Sequence, residues 1–237
     1  MNQKLDINYD LSSEIKPGRD PDRYSATLRA YHKILWNKVL PNNETLVLED
    51  VYPRGYLRHE SEMGKFELTS DAITHSYKNT KRMAQVLENV PDEKIESLFD
   101  RGCTIGSYII FPKNKVKGKH SINQARGCNH KIADRFDLTL ECIRLFYSAK
   151  NSPLTATFER HSDFFSLFVD FKRYVDFFLL KDLVSDDYSS IRYFLNHESF
   201  EDKPMPQNAE HYLEYRRNTL DFIESRGKRM EASLCAP

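Results

Sequence analysis

Apolar residues recur along this chain in two rhythms, one helical and one extended. Tyr24, Leu28, Tyr31 and Leu35 fall at i, i+4, i+7 and i+11, which is one buried face of a helix. Residues 6–22 before it read as extended or loop, and Pro41-Asn42-Asn43 ends the helix as a turn. Short extended stretches at 45–48, 56–59 and 65–68 predict a small antiparallel sheet. Ser70 reads as the N-cap of a helix running to about residue 86. The clearest strand is 107–111, closed by Pro112. From Ser121 onward the pattern is helical, with helices expected at about 121–132, 134–149, 157–170, 172–184 and 208–228. The first opens on Ser121-Ile-Asn-Gln124, where the serine caps and the glutamine reaches back. The expected architecture is α+β and mostly helical: a small sheet in an N-terminal part (about 1–120) packed on a helical part (about 121–237). No linker is long enough to separate them, so 1–237 is expected to form a single domain.

Composition adds the kind of protein. Hydrophobic residues at 40% and charged residues at 30% suit a folded, soluble chain, and 15 Phe with 13 Tyr predict a core built on rings. Only 8 glycines argue against a glycine-rich nucleotide fold. The first residues, Met1-Asn-Gln-Lys-Leu-Asp6, lack the apolar run of a signal peptide. The aromatic run 164–180 is about long enough to span a membrane. It carries Asp170, Lys172, Arg173 and Asp176, which are too costly at a bilayer centre. Cys103, Cys128, Cys142 and Cys235 show neither a CxxC pair nor close spacing. A cytoplasmic protein with reduced thiols and no membrane contact is the expectation.

Charge is balanced, 35 Lys plus Arg against 35 Asp plus Glu, so only its distribution is informative. Between Asp100 and Asp134 there is no acidic residue, while Arg101, Lys113, Lys115, Lys117, Lys119, Arg126 and Lys131 carry seven positive charges. The lysines alternate in a loop between the expected strand and the N-terminus of a helix, a position that favours anions. Lys115, Lys117, Lys119, Ser121, Asn123 and Arg126 are the candidate phosphate-binding residues. The same residues also suit a solvated loop whose helix is capped by its own serine, or contact with an acidic protein. The spacing of a Walker A loop is missing.

The second constellation follows directly. On the expected helix from 134, Asp134, Asp137, Glu141 and Arg144 form a stripe between two apolar faces. Carboxylates at i and i+4 repel one another and need a cation if shielded. A structural ion-pair network joined by Arg126 or Arg135 is one reading. A cleft in which Asp137, Glu141 and Arg144 act as acid, base and orienting cation, or hold a divalent metal, is the other. Arg29, His32 and Trp36 form a lesser polar-aromatic stripe, Cys128 and His130 lack further metal partners nearby, and His161 reads as a satisfied histidine. Arg192-Tyr-Phe-Leu-Asn-His197 matches the loose R-x4-H spacing of helical ribonucleases of the HEPN type, with Tyr193 where a polar residue usually follows the arginine.

Three blocks, Thr104-Ile-Gly-Ser-Tyr-Ile-Ile-Phe-Pro112, Ser121-Ile-Asn-Gln-Ala-Arg-Gly127 and Asp134-Arg-Phe-Asp-Leu-Thr-Leu-Glu-Cys-Ile-Arg144, occur together with Asp22-Arg-Tyr-Ser-Ala-Thr-Leu-Arg-Ala-Tyr-His32. With the aromatic helices over 164–184 they resemble a bacterial family known only as a domain of unknown function. The resemblance spans roughly residues 20–200 and implies a bacterial or phage cytoplasmic protein of one domain, with no activity to carry over. The functional expectation from the residues is a protein that binds a phosphate-bearing partner, nucleic acid or nucleotide, through 113–126 and acts on it with Asp137 and Glu141. The alternative is a non-catalytic protein–protein interaction module whose stripe is structural.

Overall fold

Local capping explains where the first helices begin in the computed structural model, which describes residues 4–235. The Asp20 carboxylate accepts the Asp22 N–H and Pro21 follows at the first helical position, which starts α1 (Pro21–Tyr24). Ser25 then accepts the Leu28 N–H at 2.9 Å and starts α2 (Ala26–Trp36), whose Leu28, Tyr31 and Leu35 are buried as the periodicity predicts.

Two short strands, β1 (Lys38–Val39) and β2 (Thr45–Leu46), pair around the turn at 41–43. The main sheet is antiparallel in the order β3 (Glu49–Asp50), β4 (Leu57–Ser61), β5 (Gly64–Ala72), β6 (Tyr108–Pro112). Its register sets Leu57 opposite Leu68 and His59 opposite Phe66, so the alternating positions of β4 and β5 bury one face. β6 has its last four residues buried, as a strand covered on both sides requires.

The helix expected from Ser70 does not form there. Residues 68–72 pair with β6, and the Ser70 hydroxyl bonds remote Asp22 and His32 instead of capping a local turn. Irregular chain and a 3-10 turn (Lys81–Met83) lead to a single α-helical turn, α3 (Ala84–Leu87), and then to α4 (Asp92–Gly102), which the apolar pattern did not announce. Only Ile95 and Leu98 of α4 are buried; Asp92 and Glu93 in its first turn and Arg101 in its last complement the helix dipole.

The helical part comprises α5 (Ile122–Cys128), α6 (Phe136–Tyr147), α7 (Thr155–Arg160), α8 (Ser162–Ser166), α9 (Phe171–Phe177) and α10 (Ala209–Ser233). The helix expected over 157–170 is two, broken at His161, and the one expected over 172–184 stops before Leu179, which has φ 57°. Those breaks fold the aromatic run back on itself. Phe164, Phe165, Phe168, Tyr174 and Phe178 then meet edge to face or tilted at centroid distances of 5.0–6.0 Å, a favourable geometry for ring quadrupoles. Trp36 of α2 joins this cluster 5.2 Å from Phe178.

α10 seals the two parts together. Tyr212, Tyr215, Phe222, Ile223 and Met230 line its buried face, and Arg226 is buried with them. Arg226 donates only to carbonyls: Gly106 (2.9 Å), Tyr108 (2.8 Å) and Phe178 (3.1 Å, twice). Burial without a facing carboxylate lowers its pKa to about 9. Gly106 lets α10 approach this closely, because a Cβ there would sit 2.6 Å from the Ile223 carbonyl oxygen. Among the described residues no helix is long and apolar enough to cross a membrane.

Candidate functional site

The lysine loop lies where strand β6 ends. Lys115, Lys117 and Lys119 are exposed, and none makes an ion pair among the described residues. Lys113 is partly engaged: its ammonium lies 3.6 Å from Glu67 and 4.0 Å from the centre of the Tyr56 ring. Lys117 (φ 52°) and Gly118 (φ 69°) are consecutive left-handed residues that turn the loop toward α5. At its foot Ser121 caps α5 by accepting the Gln124 N–H at 3.4 Å. Asn123 ties α5 to β5, donating to the Thr69 hydroxyl and the Ser70 carbonyl at 3.1 Å each, and its own amide oxygen is buried without a partner.

Arg126, grouped with these lysines by sequence, is not beside them. It is fully buried, pairs with Asp71, and donates to the Thr139 hydroxyl at 2.8 Å. One helical turn beyond Asn123 is the inner face of α5, so the acid-free stretch divides into a solvated loop and a core cation.

The carboxylate stripe is likewise divided. Asp137 is wholly buried, forks onto the Arg135 guanidinium, and accepts the Phe194 N–H at 2.8 Å. Arg135 spends its remaining donors on the Pro204 carbonyl (2.8 Å) and the Leu195 carbonyl (3.0 Å). Glu141 is nearly buried and takes a bidentate bond from Arg144, 2.7 Å at each oxygen. Asp137 and Glu141 therefore each have their own arginine, and Arg144 serves only the second. Asp134 lies outside α6 in a left-handed turn (φ 61°), its Oδ1 3.7 Å from Arg126. Among the described residues no three His, Cys, Asp or Glu side chains gather where they would hold a metal ion.

A buried polar chain joins His32 and Trp36 of the lesser polar-aromatic stripe to Ser70 and Asp22, partners that the sequence did not connect with them. Asp22 accepts the Ser70 N–H and, at 2.6 Å, the Ser70 hydroxyl, while His32 Nε2 lies 2.6 Å from the same hydroxyl. Trp36 Nε1–H donates to His32 Nδ1 at 3.3 Å, which puts the imidazole proton on Nε2. Protons then run one way, from Trp36 to His32 to Ser70 to Asp22. The histidine donates to the serine, the reverse of what a nucleophilic serine needs. Burial lowers the His32 pKa to about 3, so the ring is neutral, and burial raises Asp22 to about 6 against the hydrogen bonds from Ser70. This chain joins α1, α2 and β5 as a structural strut.

Adjoining hollows follow the chain from the end of β5 to α3. One of about 400 Å³ is bordered by His75, Lys81, Arg82, His130 and Asp134; its neighbour of about 530 Å³ shares Arg82, His130 and Met205. Lys81 and Arg82 fell inside the helix expected over 70–86, and only their adjacent charges marked them. The Arg192–His197 stretch is not helical: Arg192 pairs with Asp186 at 3.3 Å and His197 Nδ1 lies 3.9 Å from Asp202.

The blocks that carry the resemblance thus have physical reasons to occur together. They supply β6, the capped helix with the buried Arg126, and α6 with its ion pairs, which defines an α+β, mostly helical protein built around buried arginines. Residues 5–230 match the profile of a family of unknown function, DUF6994, and the chain belongs to that family. No curated protein and no solved structure matches the chain.

Proposed function

We propose that the protein binds a phosphate-bearing partner, a nucleic-acid strand or a nucleotide, through Lys115, Lys117 and Lys119. The observation that carries this is three exposed, unpaired ammonium groups on one loop, inside a stretch without acidic residues. Ser121 and Asn123 hold the base of the loop and Arg126 holds α5 to the core, so the ligand set narrows to the lysines. The pairing of Asp137 with Arg135 and of Glu141 with Arg144 favours a binding module in which these carboxylates maintain the fold. That feature is shared with the alternative reading, a protein-interaction module presenting the same lysines to an acidic face.

Fluorescence anisotropy against labelled single- and double-stranded RNA and DNA, at low and physiological salt, tests the proposal. Three phosphate contacts on a duplex give a slope of log K against log salt of about −3, since each contributes about −0.9. The triple variant Lys115→Glu, Lys117→Glu, Lys119→Glu should lose binding and flatten that slope. Unchanged binding in the triple variant refutes the nucleic-acid reading.

A further inference from the structure

We infer that the paired hollows beside α3 form a second ligand site, separate from the lysine loop, with the chemistry of a mononucleotide pocket. Three kinds of group converge there, each suited to a different part of such a ligand. Lys81 and Arg82 form no ion pair among the described residues, although the neighbouring cations Lys78 and Lys131 are matched by Glu96 and Glu201. Two adjacent free cations bordering a concavity, with His130 on the same rim, suit a phosphate group.

On the border of the same hollow one ring donor is fixed in place. His75 Nδ1 accepts the Tyr77 N–H at 2.8 Å, which leaves the ring proton on Nε2 as a donor. Its ring stacks on Tyr77, 4.7 Å between centroids, so it does not swing freely. Asp134 also borders the hollow; its Oδ1 is shielded from solvent and lies 3.7 Å from the Arg126 guanidinium. The Tyr77 hydroxyl donates to the Ala133 carbonyl at 3.1 Å and so ties the two walls together. Asp134 repels a phosphate, so the ligand's hydroxyl or N–H donors must face it while the phosphate turns to Lys81 and Arg82.

The adjoining hollow provides the apolar surface that a base needs. Val86, Phe200, Met205 and Pro206 form an apolar patch in it beside the charged Glu201 and Asp202, and the two hollows share Arg82 and His130 on their borders. Volumes of about 400 and 530 Å³ lie within the range of small-molecule sites. The site borders the C-terminal end of α5 whereas the lysine loop precedes its N-terminal end, so the two are separable by mutation.

The full-length chain titrated calorimetrically with AMP, adenosine and inorganic phosphate tests this. Cys128 borders the hollow and is exposed, so its alkylation rate, read by peptide mass spectrometry against exposed Cys235, reports occupancy at this place. AMP should bind more tightly than adenosine or phosphate alone and slow alkylation of Cys128 but not of Cys235. Lys81→Ala with Arg82→Ala, both exposed positions that leave the fold intact, should weaken AMP at least about tenfold. The triple lysine-loop variant should leave AMP binding unchanged. Absence of AMP binding at millimolar concentration, phosphate binding as tight as AMP, or loss of AMP binding in the loop variant each overturns the inference. Nucleic-acid binding should survive Lys81→Ala with Arg82→Ala, because the lysine loop lies apart from this site, and its loss there would overturn the separation of the two.

Discussion

Replacing Asp137 with Asn separates a structural carboxylate from a reactive one. The substitution keeps the side-chain volume and an oxygen that can still accept the Phe194 N–H, so what it removes is the charge facing Arg135. Arg135 is 1% exposed and Asp137 is 0% exposed, which leaves the guanidinium without water or a counter-ion. Breaking one partner of such a pair costs about 3–5 kcal/mol. For a domain of this size each kcal/mol moves the melting midpoint by about 2–4 °C, so a fall of roughly 6–20 °C is expected. Glu141→Gln is the internal comparison: its partner Arg144 is 22% exposed and recovers water, and the loss should be about 1 kcal/mol. Circular-dichroism melts of Asp137→Asn, Arg135→Met and the double variant give the coupling directly, and the double variant should lose less than the sum of the two singles. If Asp137→Asn melts with the wild type, the carboxylate is not holding the fold and the structural account of the stripe fails.

Two further outcomes follow from the geometry. The Asp22 carboxyl, held near pKa 6 mainly by burial, keeps a proton in the folded chain between about pH 4 and pH 6 that the unfolded chain has released. Its contribution therefore falls as pH rises through that window, and Asp22→Asn should gain on the wild type by up to about 3 kcal/mol from pH 4 to pH 6, with no further change above; a constant offset across the window would count against it. Gly106→Ala pushes a methyl against the Ile223 carbonyl and should cost about 1–3 kcal/mol or more, whereas Gly127→Ala in α5 meets nothing within 4 Å and should gain about 0.5 kcal/mol; equal melting midpoints for the two would contradict the close approach of α10.

What could be read from the residues depended on how far away the partners were. α2 and α6 followed from apolar spacing, and the Ser121 cap from its own neighbours, because those signals are complete within a few residues. Ser70 misled because its hydroxyl has the local chemistry of a cap while its partners, Asp22 and His32, are 48 and 38 residues away. Arg126 misled for the same reason: charge along a chain does not reveal burial, and its main partner Asp71 is 55 residues distant. The Glu141–Arg144 pair was legible at i, i+3, but the Asp137–Arg135 fork depends on a turn before α6 that periodicity does not describe. Three separate stretches of chain border the hollows beside α3, so no single stretch announces them.

The carbonyl-bound Arg226 has a consequence for how the protein comes into being. The oxygens of Gly106, Tyr108 and Phe178 receive their donor from a residue translated 120, 118 and 48 positions later. During synthesis the junction between β6 and the aromatic helices must wait, unsealed, until that arginine arrives. Folding of the sheet and of the ring cluster is therefore completed in one late, long-range step, a topology that folds slowly and leaves apolar rings exposed in the interim. A nascent chain stalled before α10 would be a client for chaperones, not a smaller working version of the protein.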